Sequence, residues 1–549
     1  MKSESLKIGL IANSLNSPEW VHDVIRQVQN SGIMELKLVL IKPDKAGENN
    51  YSNIKASRLF SKLMSLYLYA EKTFVSVKQD STKHADLSYL TKDIKTITIE
   101  DRITGEQKSE VAGLNMDVLL NIDQHSVPAE LTSFFSLGVA YNEITYPDSE
   151  VNLPIEWFVM NNYPCIEAKF LFWGNRHVSR KILSQLCFSQ DSLFINRVKS
   201  QYFWKASLLT MRGLTEIYNL KNNGYYKNEK NKFIERVFNK EIYSLSCSMI
   251  IKHVLKYIKK EIDNKFHIRQ WIILYNENST GTEAIEDYKK IIPPKKNFWA
   301  DPHVIKRNGS HFIFIEEYTY ETSKGHLAVL EIDKNGKISK PVKILEKPYH
   351  LSYPFLFEYG DELYMIPESE QNETVDIYKC TEFPYKWEFY KHIFVGMSAV
   401  DPTLVQHEGK WWMFLNKKDG NYLSFKDELY LYYADSPFSD KWISHPQNPV
   451  VTDVRSARSA GKIYKTQGHL IRPAQDCSVE YGYRIRQQKI IKMNEEEYSE
   501  AEFGIIEPNY DKNICGMHTL AKHNEFTVLD CKLRTSKLPA HINIPFLSW

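Results

Sequence analysis

No stretch of the 549-residue chain approaches eighteen consecutive apolar residues, so the sequence predicts no membrane-spanning helix. Cysteine is scarce and unpatterned. The seven thiols are scattered from Cys165 to Cys531, with no CxxC pair and no metal-type spacing. That excludes a disulfide framework, assigns no metal, and predicts reduced thiols in a cytoplasmic protein. Neither sign of charge prevails, the net being +2, so no global field argues for nucleic acid or membrane as a partner. Before Asn13 the apolar run is only five residues, shorter than a signal-peptide core. The turn after the first apolar run, ANSLNS, holds no glycine, and GxxxxGK[ST] is absent. Nucleotide binding through a familiar phosphate loop therefore has no support, and the cofactor stays unassigned.

What is present reads as two bodies. Lys7 to Ala12 (KIGLIA) is a buried parallel strand, and Pro18 opens a helix with Trp20, Val21, Val24, Ile25 and Val28 at helical spacing. Glu35 to Ile41 completes a βαβ unit, with further strands at Asp117 to Ile122 and Gly138 to Tyr141. An α/β Rossmann-like domain is expected over residues 1–219. A linker and helix follow over 220–268, then an all-β five-bladed propeller over 269–536 and a tail over 537–549. The helix, Ile242 to Ile262, shows Leu245, Met249, Val254, Tyr257, Ile258 and Ile262 on one face. Lys252, Lys256, Lys259 and Lys260 lie on the other. Such a helix either rests peripherally on an anionic membrane or packs on a neighbouring domain with its lysines in water.

The propeller rests on five copies of a strand, a tight turn and a second strand that ends in polar residues. They are WADPHVIKRNGSHFIFIEEY from Trp299, SYPFLFEYGDELYMIPES from Ser352, VDPTLVQHEGKWWMFLNK from Val400, SARSAGKIYKTQGHLIRPAQD from Ser456 and CGMHTLAKHNEFTVLDCK from Cys515. Their spacing of about fifty residues is that of four-stranded blades, none of which buries both faces alone. WIILY, from Trp271, precedes the first copy and is expected to join the first and last blades.

In such a ring the first strands line the channel. Asp301 and Asp401 each precede a proline at a strand start, Tyr353 takes the same place in the second copy, and Arg458 and His518 stand near it in the last two. The second strands end in Glu316 and Glu317, Glu368, Asn416, Gln475 with Asp476, and Asp530. Asp301, Glu368 and Asp401 are the catalytic candidates. They are expected to share one pocket, with Arg458 or Arg472 close enough to pair. Trp299, His303, Glu317, Tyr353, Arg458, Arg472, Gln475, Asp476 and His518 are the candidate substrate-binding residues. Trp299, Tyr353 and Trp411 offer rings to a sugar face. Glycosyl chemistry needs one carboxylate as base or nucleophile and a second, protonated, for the leaving group. Against this, Asp-Pro is also a common turn device, and propeller carboxylates often satisfy backbone donors or arginines.

Two resemblances extend the reading. WADPHV, SYPF, IPES, VDPTLV and RPAQD resemble the propeller at the N-terminus of the glucosamine inositolphosphorylceramide transferase family, over about Lys296 to Glu497. The propeller is also similar to five-bladed fructosidase and arabinanase hydrolases. That resemblance implies a base or nucleophile at Asp301, with Glu368 as the acid candidate. Residues 7–215 resemble the formyltransferase superfamily through GVAYNEITYPD, where Asn142 stands for the superfamily's Asn and Ile144 occupies its His position. Without that imidazole no base takes the amine proton. The resemblances together imply a cytoplasmic carbohydrate-active protein of bacterial surface-glycan assembly (O-antigen or capsule), binding or transferring a sugar in the channel. The alternatives are a non-catalytic glycan-binding scaffold, and a formyl or acyl transferase acting on an amino sugar.

Overall fold

Long apolar runs that bury both faces make the centre of the N-terminal sheet, as in LKIGLIA (Leu6–Ala12) and MDVLLN (Met116–Asn121), which are buried almost throughout. The computed structural model describes residues 4–43, 54–56, 58–100, 103–122, 127, 129–147, 152–174, 181–190, 192–223, 243–278, 287–420, 422–509 and 511–537. These fall into two compact units, Met1–Tyr257 and Ile258–Trp549. Residues 224–242 of the expected 220–268 linker and helix, and all of the tail beyond 537, lie outside the described residues.

The N-terminal unit is built on a mixed seven-stranded sheet. Phe135–Thr145, Met116–Asn121, Leu6–Ala12, Met34–Ile41 and Lys95–Thr98 run parallel in that order. Cys165–Gly174 and Lys181–Ser189 extend it antiparallel. The helix Glu19–Asn30 opens behind Pro18 and buries Trp20, Val21, Val24, Ile25 and Val28, the face expected from their spacing. The 28-residue helix Ile195–Asn222 crosses the sheet so closely that a Cβ on Gly213 would sit 1.9 Å from the Phe170 ring. One expectation needs correction. Tyr243–Leu245 is a strand paired in parallel with Ile54–Ala56, and the following helix runs over Cys247–Phe266 rather than 242–262. Strand pairing to a partner nearly 190 residues earlier overrides the helical spacing read from Leu245.

The C-terminal unit is a ring of five antiparallel sheets. The copies' turns explain their tightness. Asn308-Gly309, Glu408-Gly409 and Gln467-Gly468 each hold two successive residues at positive φ, the geometry that two-residue hairpins demand. Apolar side chains from both faces of each blade interleave with its neighbours. Ile313 and Ile315 of the first blade pack with Ile273 and Val528 of the fifth, while Phe312 and Phe314 pack with Met365 and Tyr378 of the second. The second and third blades share a cluster around Tyr353 and Trp411, the third and fourth one around Trp412 and Ile490. The fourth and fifth meet at Ile485 and Met517, so the circle closes at five. His267–Asn276, which contains WIILY, lies in the last blade along Phe526–Ser536, from His267 opposite Ser536 to Asn276 opposite Thr527. The two ends of the ring are thereby zipped into one sheet.

Candidate functional site

In three blades the inner strand is kinked at the same place. Asp301, Tyr353 and Asp401, each followed by proline, sit at φ of 52°, 46° and 51°. The pairing slips there, between Ala300 and His303, Ser352 and Phe355, and Val400 and Thr403. A left-handed non-glycine residue costs about 1–3 kcal/mol and persists only where its surroundings impose it. The slip turns each side chain out of the alternating pattern, as a bulge does beside a binding site.

The side chains so aimed are joined across the ring. Arg458 Nε donates to Asp401 Oδ2 at 2.7 Å, and Gln475 Nε2 donates to the same oxygen at 3.3 Å. Arg458 Nη2 lies 3.8 Å from Glu368 Oε2, and its guanidinium sits 5.0 Å over the Tyr481 ring. The Tyr353 hydroxyl bonds Thr403 Oγ1 at 2.7 Å and accepts the Gly461 N–H at 3.0 Å, linking the second, third and fourth blades. On the other side Thr519 Oγ1 donates to Asp301 Oδ1 at 2.8 Å, and His518 Nε2 is 3.3 Å from that oxygen. His518 Nδ1 faces Asp530 Oδ1 at 2.7 Å, while Asp530 Oδ2 accepts the Asp301 backbone N–H at 2.9 Å. Asp301, His518 and Asp530 are close enough for a cation. Yet both ring nitrogens already face a carboxylate, and Asp530 Oδ1 also takes the N–H groups of His518 and Thr519. The trio is held by close charge contacts on both ring nitrogens and by the backbone donors to Asp530.

So many carboxylates in so dry a place cannot all stay ionised. Burial, and then the charge of Asp401, push Glu368 well above the usual carboxylate range against the pull of Arg458. Burial and the charges of Asp301, Glu368, Asp530 and Asp401 raise Glu316 in the same way. Asp301 is pushed up to about 6 by burial, although His518 opposes it. His518 is raised despite its burial, because Asp530 and Asp301 hold its proton. Of the three catalytic candidates, Glu368 is the most open, its side chain 13% exposed.

Asp301, Glu368, Asp401, Tyr353, Arg458, Gln475 and His518 are thus brought together. Four other candidates are not, and His303 touches the group only through the Tyr353 ring. Trp299 is buried in the core between the fifth and first blades, where its indole N–H donates to Glu317, so it offers no sugar platform. Glu317 sits on that same face, bonded also by Asn297 and His326, and these bonds outweigh burial to hold it down at about 2. Arg472 is locked to Glu500 and the Ser456 carbonyl, and Asp476 to Arg484, Arg486 and Ser478. His303 is buried edge-on to the Tyr353 and Phe355 rings, which keeps it neutral, with its pKa lowered to about 3 by burial and then Lys462. Trp411 likewise belongs to a core cluster. Two carboxylates at the centre were not among the site candidates, Glu316 and Asp530, nor were Thr519 and Tyr481. The pairing of Trp299 with Glu317 and of Ala300 with Glu316 was the available signal, since the partner of a core tryptophan shares its face.

Residues 289–528 match the family model for "Glucosamine inositolphosphorylceramide transferase 1, N-terminal". The enzyme of that name from rice, Oryza sativa subsp. japonica, is 35% identical over 222 residues, 40% of this chain and 30% of its own. That of Arabidopsis thaliana is 34% identical over 209 residues, 38% of this chain and 27% of its own. The chain therefore spans less than a third of the length of these relatives. Solved structures with a similar trace include Zg3597, a family 117 glycoside hydrolase of Zobellia galactanivorans, at TM-score 0.32 and 11% identity over 51% of this chain and 93% of that one. The catalytic domain of the Coprinopsis cinerea family 62 α-L-arabinofuranosidase reaches TM-score 0.33 at 12% identity over 45% and 96%. The C-terminal propeller thus resembles the N-terminal region of glucosamine inositolphosphorylceramide transferase 1.

Proposed function

We propose that the propeller holds a sugar or sugar conjugate at its channel and acts on the glycosidic bond. Glu368 is the acid, Asp301 the base or nucleophile, and Asp401 with Arg458 sets the proton on Glu368. One observation carries this reading: Glu368 stands beside Arg458 at 3.8 Å, is held well above the usual carboxylate range by burial and then the charge of Asp401, and still reaches solvent. A carboxyl that is neutral near pH 7 can protonate a departing oxygen, and an ionisable one across the channel can receive the proton of an attacking hydroxyl. Support also comes from the relatives, each named glucosamine inositolphosphorylceramide transferase 1. The proposal includes the setting, assembly of a bacterial surface glycan in the cytoplasm, and all seven cysteines are free thiols, as a reducing compartment requires.

For the N-terminal unit we propose a formyltransferase-like scaffold without the chemistry. The Asn142 amide is spent on Thr210 inside the core at 2.9 Å, and Ile144 is buried. The scaffold reading for the propeller has its own support, since Asp530 accepts three backbone N–H groups and Asp301 the Thr519 hydroxyl, contacts that close the ring.

Turnover decides between the two. The full chain is incubated with nucleotide-activated hexosamines and with nitrophenyl glycosides, and sugar affinity is measured in parallel by calorimetry. Loss of the acid should lower turnover by about 10²–10⁴-fold in E368Q while leaving affinity nearly intact. Sugar binding without turnover in the wild type, unchanged in E368Q, would make the propeller a scaffold.

A further inference from the structure

The paired strands Ile54–Ala56 and Tyr243–Leu245 each lead at once into a helix, Arg58–Phe74 and Cys247–Phe266, so the two helices start side by side. Both seat on one segment. Tyr67 Oη and His253 Nε2 donate to the Leu193 carbonyl at 3.4 and 2.6 Å, and the Glu71 carboxylate accepts the N–H groups of Ile195 and Asn196 at 3.1 and 2.6 Å.

Most of what these helices carry stays uncovered. Of the residues in Cys247–Phe266 only Ile250 and His253 are buried. Ile251, Val254, Leu255, Ile258 and Ile262 are 38–60% exposed and recur at i, i+3, i+4, i+7 and i+11, a single stripe three turns long. Leu59, Leu63 and Leu66 form a similar exposed row on the other helix. Lys252, Lys256 and Lys259 each follow a stripe residue by one position, about 100° around the helix, so they border the stripe on one side, although Lys256 Nζ is already given to Asn162 Oδ1 at 2.9 Å. Lys260 and Lys265 add to the charge. The helix's acids are only Glu261 and Asp263, and Asp263 is already engaged by Arg269 and Arg534.

We infer that this stripe docks on an anionic lipid surface, its apolar residues in the headgroup boundary and its lysines against phosphate. The charge pattern selects the occupant, because a second copy of this chain would set lysine against lysine, whereas an acidic bilayer meets the same row with opposite charge. No helix among the described residues is long and apolar enough to cross a membrane, so the contact is at the surface.

Co-sedimentation of the full chain with phosphatidylcholine vesicles, with and without phosphatidylglycerol, tests this. The chain should pellet with the anionic vesicles alone and be released by high salt. I251E/L255E should abolish the binding, L66E should weaken it, and K252Q and K259Q should each weaken it about five-fold. All five positions are exposed, so calorimetry should show wild-type unfolding for each variant. Equal binding to both vesicles, binding to neither, or wild-type binding by I251E/L255E would overturn the inference. So would a dimer in sedimentation velocity that I251E/L255E dissolves, since the stripe would then join two copies.

Discussion

Asp301→Asn should change how the propeller's stability depends on pH, and the size follows from its surroundings. Burial raises the Asp301 carboxyl from the ordinary 3.8 to about 6. Below about pH 4 the acid is neutral in both folded and unfolded chains and contributes no difference. As the pH climbs toward 6 and beyond, the unfolded chain ionises freely while the folded one resists, so stability is lost through that window. Two pH units at 1.36 kcal/mol each give about 3 kcal/mol. Asparagine copies the neutral acid in shape and can still accept from Thr519. The variant should therefore gain about 3 kcal/mol on the wild type between pH 4 and 7, whatever its offset at pH 4. In scanning calorimetry of the full chain that is about 5–10 °C in the propeller transition. Glu317, held low, loses its contribution only as pH falls toward 2 and does not intrude. Because His518 and Asp301 face each other, the measured difference belongs to the pair. A gap that stays constant across the series, or widens toward the wild type, would refute the reasoning.

Arg458→Leu should destabilise the propeller by about 3–5 kcal/mol, because the buried Asp401 carboxyl would lose its ion-pair partner; adding Asp401→Asn should recover most of the loss in the same melts. Gly461→Ala should prevent the ring from closing properly, since its Cβ would meet the Leu520 carbonyl at 2.0 Å on a backbone at φ 116°, and soluble yield and melting temperature would both fall. In the N-terminal unit Glu71→Ala should cost about 1–2 kcal/mol, read by urea unfolding, because Glu71 caps the helix Ile195–Asn222, whose own N-cap, Phe194, lends no side chain.

The five copies were legible because strand, turn and period all sit in contiguous residues, and the prolines after Asp301, Tyr353 and Asp401 marked the inner strands. Which side chains share the channel was less so. Alternation alone cannot choose between Glu316 and Glu317 once the strand slips at Asp301, and it cannot tell that Arg472 spends its guanidinium on Glu500 while Arg458 reaches Asp401. Those choices depend on neighbours brought from other blades, such as Asp401, which lies 57 residues before Arg458. In the N-terminal unit the parallel strands were visible as apolar runs. The strand at Tyr243–Leu245 was not, because it pairs with Ile54–Ala56, far away in the chain. The exposed stripe could be anticipated for one helix, but the second helix beside it could not.

The central claim is a neutral acid at Glu368 facing a bound sugar, and infrared difference spectroscopy reads it directly. Comparing the wild type with E368Q at pH 7 isolates this carboxyl from Glu316. A protonated-carboxyl carbonyl band should be present in the wild type, absent in E368Q, and shifted when the sugar that binds the channel is added. An ionised Glu368 at pH 7, or a neutral one whose band ignores the sugar, would contradict the account.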